Sequence, residues 1–235
     1  MFLPPVAPRR KRSAGLRKAC KQMEIQRICN AGILVKLDGV SILLDGLCEG
    51  LSGYLPTPTE LQQELLDNPP DLLAFTHSHP DHCSSALLLP YRNEKRRPIL
   101  GPASLTERKV RVGEVMVTAV ETRHLGKTEP NLVHHSFVIE GSQCLWFMGD
   151  ASPMQLKKLS AFPKPDVLVV PYAYANTPAA WEITKSVDPK TVVLLHLPAK
   201  NCDPYGLWQQ VRETTADDFS LWIPEIWETR TVYSY

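Results

Sequence analysis

Residues 77–82 read His-Ser-His-Pro-Asp-His, three imidazoles and a carboxylate within six positions. Imidazole nitrogen and carboxylate oxygen are the donors that zinc, manganese and iron accept. On an extended or turning segment His77 and His79 project the same way and can chelate one cation. Asp81 and His82, at the start of a helix, project differently and suit a second cation a few ångströms away. Four donors on one loop cannot fill two sites. A two-metal centre with a separation of about 3.5–4 Å needs a bridging anion and ligands from elsewhere in the chain. Asp150 is the natural bridge, because it follows an apolar strand and Gly149 lets the backbone approach closely. His196 completes the second site and His124 the first. Taken singly, Asp150 reads equally as a helix cap, and His124 and His196 as hydrogen-bonded core histidines. Their shared position at strand ends, as for the first motif, raises them above those readings.

The elements that must position these residues are legible as short periodic runs. Met23–Cys29 alternates apolar and polar residues, and Ile33–Leu37 and Ser41–Asp45 flank an Asp38-Gly39 turn, a hairpin meander. Thr57, Pro58 and Glu60 form a capping box ahead of a helix with Leu61, Leu65 and Leu66 on its apolar face. Asp71–Thr76 is a buried strand ending in the histidine motif, and a helix follows from about Asp81 through Leu89. Val115–Thr122 is a strand ending near His124. Ser136–Glu140 and Cys144–Met148 form a second hairpin, ending at Asp150. Gln155–Ala161 is helical, Val167–Val170 a strand, Ala179–Ser186 a helix, Thr191–Leu195 a strand ending in His196, and Tyr205–Thr214 the last helix. Strands followed by helix–strand alternation, then repeated, predict two sheets with helices packed outside them.

Composition narrows the function classes. The chain has 235 residues, 43% hydrophobic, which suits one folded domain and excludes global disorder. Its 21 prolines against 12 glycines imply many short elements joined by fixed turns. No apolar run approaches the roughly 18–20 residues of a membrane span. The net charge of +1 hides two unlike parts. Residues 1–22 hold seven basic and no acidic residues, whereas 19 basic against 25 acidic residues leave the remainder at −6. The first 22 residues are expected to be a disordered basic tail, with Met23 as the functional start of a domain running to residue 235. An acidic body argues against nucleic acid as a partner, and the tail alone keeps that class open. No export signal is read, so the expected location is cytoplasmic. None of the six cysteines forms a CxxC pair, so they are expected to be reduced, mostly buried thiols. Cys83, next to His82, could instead touch the metal region.

The motif Thr76-His-Ser-His-Pro-Asp-His82, a later strand ending in His, then Phe147-Met-Gly-Asp150 and Leu195-His196, together resemble the metallo-β-lactamase superfamily over about Met23 to Thr214. Asp45 matches that family's structural aspartate at the end of an early strand. The Thr122-Arg-His-Leu-Gly126 segment and the short chain are most similar to its small lactonase-like hydrolases. The resemblance implies an αββα sandwich of two mixed sheets and two divalent cations, zinc first, with manganese or iron as alternatives. It implies His77, His79 and His124 on the first metal, Asp81, His82 and His196 on the second, and Asp150 as the bridge. It further implies a metal-bridging hydroxide nucleophile oriented by Asp81, acting on a small-molecule lactone, ester or phosphodiester.

One departure leaves an alternative open. The family often places Gly-Tyr where this chain has His134-His135. Either His124 or His135 could complete the first site. His124 is preferred because it ends a strand, and His135 is then assigned a catalytic, substrate-facing place. Tyr172, Tyr174, Asn176 and Trp181 follow a strand and could line the cleft or simply pack a loop edge. Two other classes stand beside the hydrolase: a metal-dependent nuclease of the transfer-RNA-processing kind, and a non-enzymatic metal-binding protein.

Overall fold

The computed structural model describes residues 21–51, 53–92, 97–102, 108–126, 131–216 and 220–234. In chain order the elements are β1 (Lys21–Arg27), β2 (Ile33–Leu37), β3 (Val40–Leu44), α1 (Thr59–Asp67), β4 (Leu72–Ala74), α2 (Ser85–Arg92), β5 (Ile99–Leu100), β6 (Lys109–Val112), β7 (Val115–Thr122), β8 (His134–Glu140), β9 (Cys144–Phe147), β10 (Val167–Pro171), α3 (Pro178–Lys185), β11 (Thr191–Leu195), α4 (Leu207–Thr215), β12 (Leu221–Trp222) and β13 (Thr229–Ser234). Two short 3-10 segments, Pro153–Leu159 and Tyr172–Tyr174, follow β9 and β10.

The strands form two mixed sheets. The first has the order β13-β1-β2-β3-β4-β5 and the second β12-β11-β10-β9-β8-β7-β6. Strand alternation sends every second side chain to each face. Ile25, Val35, Ile42 and Ala74 of the first sheet therefore meet Val117, Phe137, Phe147, Val169 and Val193 of the second in one core. On the outer face of the second sheet, Val138, Trp146 and Leu168 pack with Trp181 of α3 and Val211 of α4. On the outer face of the first, Leu43, Leu73 and Phe75 pack with Leu61 and Leu65 of α1 and Leu88 and Tyr91 of α2. The architecture is the αββα sandwich, and the metal-capable residues collect at one end of it.

Several local expectations are corrected. Thr57 does not cap α1. Its hydroxyl donates to the Gly46 carbonyl and accepts from the Cys48 N–H, both at 2.9 Å, so it ties the preceding loop together and Pro58 takes the N-cap. The helix after the histidine motif starts at Ser85, four residues late. Asp81 and His82 lie instead in a turn whose His79 carbonyl accepts the N–H groups of His82 and Cys83. The helix expected over Gln155–Ala161 is the 3-10 segment. Residues 1–20 of the expected tail lie outside the described residues, while Lys21 and Gln22 belong to β1, opposite Ser234 and Tyr233. No helix among the described residues is long and apolar enough to cross a membrane.

Phe137 is fully buried between the sheets. Phe137→Ala removes its burial and leaves a cavity, so unfolding in urea should show a loss of about 3–5 kcal/mol with an unchanged slope. A loss below about 1 kcal/mol would contradict this packing.

Candidate metal centre

The histidine motif is aimed by one buried carboxylate. Asp45 follows β3 in a left-handed conformation (φ 47°), which turns the chain at the strand end. One of its oxygens accepts the Thr76 N–H at 2.7 Å, and the other accepts the Thr76 hydroxyl at 2.7 Å and His82 Nδ1 at 2.8 Å. The Thr76 hydroxyl, having given its proton to Asp45, accepts His77 Nδ1 at 2.9 Å. Both rings thus hold a proton on Nδ1 and turn Nε2 toward the centre. The sequence placed Asp45 in the family pattern; that Thr76 relays its orientation to His77 is visible only in three dimensions.

Asp150 arrives from the second sheet. Gly149 has φ 53°, and a Cβ there would stand 2.5 Å from the Thr76 side chain, so only glycine fits. The Asp150 N–H donates to His134 Nε2 at 3.1 Å, which places the His134 proton on Nδ1. That proton goes to Thr122 Oγ1 (2.8 Å), whose own proton goes to Ser136 Oγ (3.0 Å), and Ser136 donates to the Met148 carbonyl (3.1 Å). This chain clasps the backbone on both sides of Gly149. His134 therefore positions Asp150, a role the sequence reading did not assign. Its ring is buried, and that burial holds its pKa down at about 3 despite the nearby Asp150 charge.

His196 follows β11, also left-handed (φ 63°). Its N–H donates to the Asn30 carbonyl, and the Asn30 side-chain amide donates to Asp81 at 3.3 Å. Asn30 is itself held by Arg27, which is buried and donates to the carbonyls of Cys29, Asn30 and Pro224. Neither Arg27 nor Asn30 carried a signal in the sequence, because each acts through backbone carbonyls rather than a motif.

Three groups of donor atoms result, each within 4.8 Å: His77, His79 and His124; His77, His82 and Asp150; Asp81, His82 and His196. His77 and His79 face each other with 2.9 Å between ring nitrogens. One Asp150 oxygen lies 3.4 Å from His82 Nε2, 3.6 Å from His124 Nε2 and 3.3 Å from His196 Nε2. His196 Nε2 is also 3.2 Å from Asp81. His82 Nε2, His124 Nε2, His196 Nε2 and Asp150 Oδ1 are buried without a hydrogen-bond partner. Convergent buried donors of this kind are costly unless a cation satisfies them, so the residues fit divalent metal.

The same groups act strongly on one another's charge. Burial would raise the Asp150 carboxyl, but His196 and His82 outweigh it and hold it well below the usual range. Burial also works against the charged form of His82 and His196, yet Asp150 reverses it and carries His196 up to about 9. His77 is driven strongly down by burial and the neighbouring His82, so it stays neutral.

The remaining expected residues fall elsewhere. Among the described residues His135 joins no donor group. Strand alternation turns it away from the side that His134 occupies, its ring feels Glu121 and Arg108 after burial itself, and its N–H donates to the Thr76 carbonyl. Tyr174 and Trp181 are packed in the outer core. The Cys83 thiol is pushed up to about 11 by burial and joins no donor group among the described residues.

Replacing Asp45 with Asn keeps the shape but loses the carboxylate that fixes both ring tautomers. Metal titration of Asp45→Asn should show affinity about 10–100-fold weaker. An unchanged affinity would remove Asp45 from the orienting role.

A family model described as a beta-lactamase superfamily domain matches residues 24–196. Among solved structures, the chain is similar to Igni18, a metallo hydrolase of Ignicoccus hospitalis, at 19% identity over 90% of this chain and 98% of that one (TM-score 0.61). It is similar to a possible metal-dependent hydrolase of Veillonella parvula at 14% identity over 91% and 100% (TM-score 0.66). It also resembles YhfI, a metallo-beta-lactamase fold protein of Bacillus subtilis, at 16% identity over 90% and 100% (TM-score 0.62). No curated protein sequence matches significantly. With the fold, the strand-end donor groups and a family match across most of its length, the chain belongs to the metallo-β-lactamase superfamily.

Proposed function

We propose that the protein is a metal-dependent hydrolase acting on a small-molecule lactone, ester or phosphodiester through two divalent cations, zinc first. His77, His79 and His124 would hold one cation and Asp81, His82 and His196 the other, with Asp150 shared. The observation that carries this reading is the convergence of buried Nε2 and carboxylate atoms on a common centre. When bound, the cations would supply Lewis acidity and lower the pKa of a water toward about 7.

The chain's own contribution is preorganisation. Thr76 and Asp45 keep Nε2 of His77 and His82 turned inward. Asp81 stays ionised: burial opposes this, but His196 at 3.2 Å and the charge of His82 prevail. Two carboxylates held as anions would give the centre its pull on divalent cations.

The purified protein should contain close to two divalent ions per chain, and a chelator should abolish hydrolysis in a screen of lactone, ester and phosphodiester substrates until metal is returned. His77→Ala should lose metal and activity together. Metal content near zero and indifferent to His77→Ala would sink the reading. Two bound ions with no hydrolysis of any class would indicate a metal-binding protein without this activity.

A further inference from the structure

The outer side of the second sheet carries a pocket of about 480 Å³, and none of the residues lining it belongs to the donor groups of the metal centre. Trp146 of β9 supplies the sheet's side of it. One wall is the 3-10 segment Pro153–Leu159. Three residues per turn stack every third side chain in a row. Pro153, Leu156 and Leu159 form the buried row, and the next row, Met154, Lys157 and Ser160, borders the pocket. The other wall is the end of α3, where Ile183, Ser186 and Val187 share one face at helical spacing.

Both walls are fixed by hydrogen bonds outside the pocket. The Arg123 N–H donates to Gln155 Oε1 and the Ser152 N–H to the Arg123 carbonyl, both at 3.1 Å, and Lys158 Nζ donates to the Glu121 carbonyl at 3.1 Å. On α3, the Thr177 hydroxyl accepts the Ala180 N–H and the Thr184 hydroxyl donates to the Tyr174 carbonyl, both at 3.3 Å. A ligand entering between walls already held in place has little to order.

The lining states what would enter. Its volume is in the range of about 300–1,000 Å³ that holds small molecules, and such sites are mostly apolar with a few polar groups. Trp146, Met154, Leu156, Phe162, Ile183 and Val187 give the apolar surface, and Met154 is 52% exposed. Two lysines line the pocket and no acid does. The Lys164 ammonium is paired with Asp188. The exposed Lys157 ammonium has no partner among the described residues. A neutral apolar molecule would leave that charge unused and a cation would be repelled by it. A phosphate would call for several donors, where one stands ready. We propose that this pocket binds a small apolar carboxylate, with its hydrocarbon part against Trp146 and Ile183 and its carboxylate on Lys157. The assignment is independent of the reaction at the metal centre.

The test is calorimetry on the metal-loaded protein with octanoate, 1-octanol and octylammonium. One octanoate per chain should bind, at least several-fold more tightly than octylammonium. Lys157→Glu, at an exposed position, should weaken octanoate about tenfold and leave octanol unchanged. Ser186→Trp, an exposed position on the border, should remove both ligands without changing the metal content. Octanoate binding indifferent to both variants would place it elsewhere, on the metals, and overturn the proposal. Loss in Ser186→Trp alone would overturn the carboxylate class, as would a preference for octylammonium. A chain that binds no octanoate, and forms a dimer that Ser186→Trp breaks, would give the pocket to a second copy and equally overturn it.

Discussion

The carboxylate of Asp45 is the constraint on which the rest of the centre depends. It is fully buried, and its oxygens accept from Thr76 twice and from His82 once. Because β3 and β4 are parallel neighbours with Leu44 opposite Ala74, the two strands end side by side, and Asp45 locks the end of one to the start of the histidine loop. Removing one partner of such a network leaves a buried anion or a bare donor, which costs far more than the bond is worth between exposed groups.

Thr76 also joins the two sheets. Its carbonyl accepts the His135 N–H of β8, and its side chain fills the space that Gly149 leaves open. Thr76 thus registers the loop after β4 against the end of β9, as Asn30 does for the end of β11 through His196 and Asp81. Left-handed backbone at Asp45, Gly149 and His196 marks the places where a strand is turned sharply to aim a ligand. The dense core between the sheets makes these aims rigid, since Phe137 and Phe147 leave the strands no room to slide.

Much of this was legible in the sequence because chemistry and periodicity coincided. The His77–His82 run, the apolar strands before Asp150 and His196, and the glycine at 149 each combine a donor type with a recognisable position. The misses share a physical cause. Thr57 looked like a cap, but the loop offered its hydroxyl two backbone partners. His134 and His135 are adjacent in a strand, so they face opposite sides, and composition cannot say which side is the centre. β13 is a C-terminal strand whose partner, β1, lies at the other end of the described chain, and the two-residue β5 and β12 are too short to show a period. Arg27 and Asn30 act through contacts between distant segments, which no local pattern encodes.

The most direct test is a crystal structure of the zinc-loaded protein, read with anomalous scattering at the zinc edge. The account predicts two zinc peaks, one within bonding distance of His77, His79 and His124 and the other of Asp81, His82 and His196. Asp150 should lie between them, and His134 should remain on the Asp150 N–H rather than on metal. A single peak elsewhere in the fold, or His135 among the ligands, would contradict it.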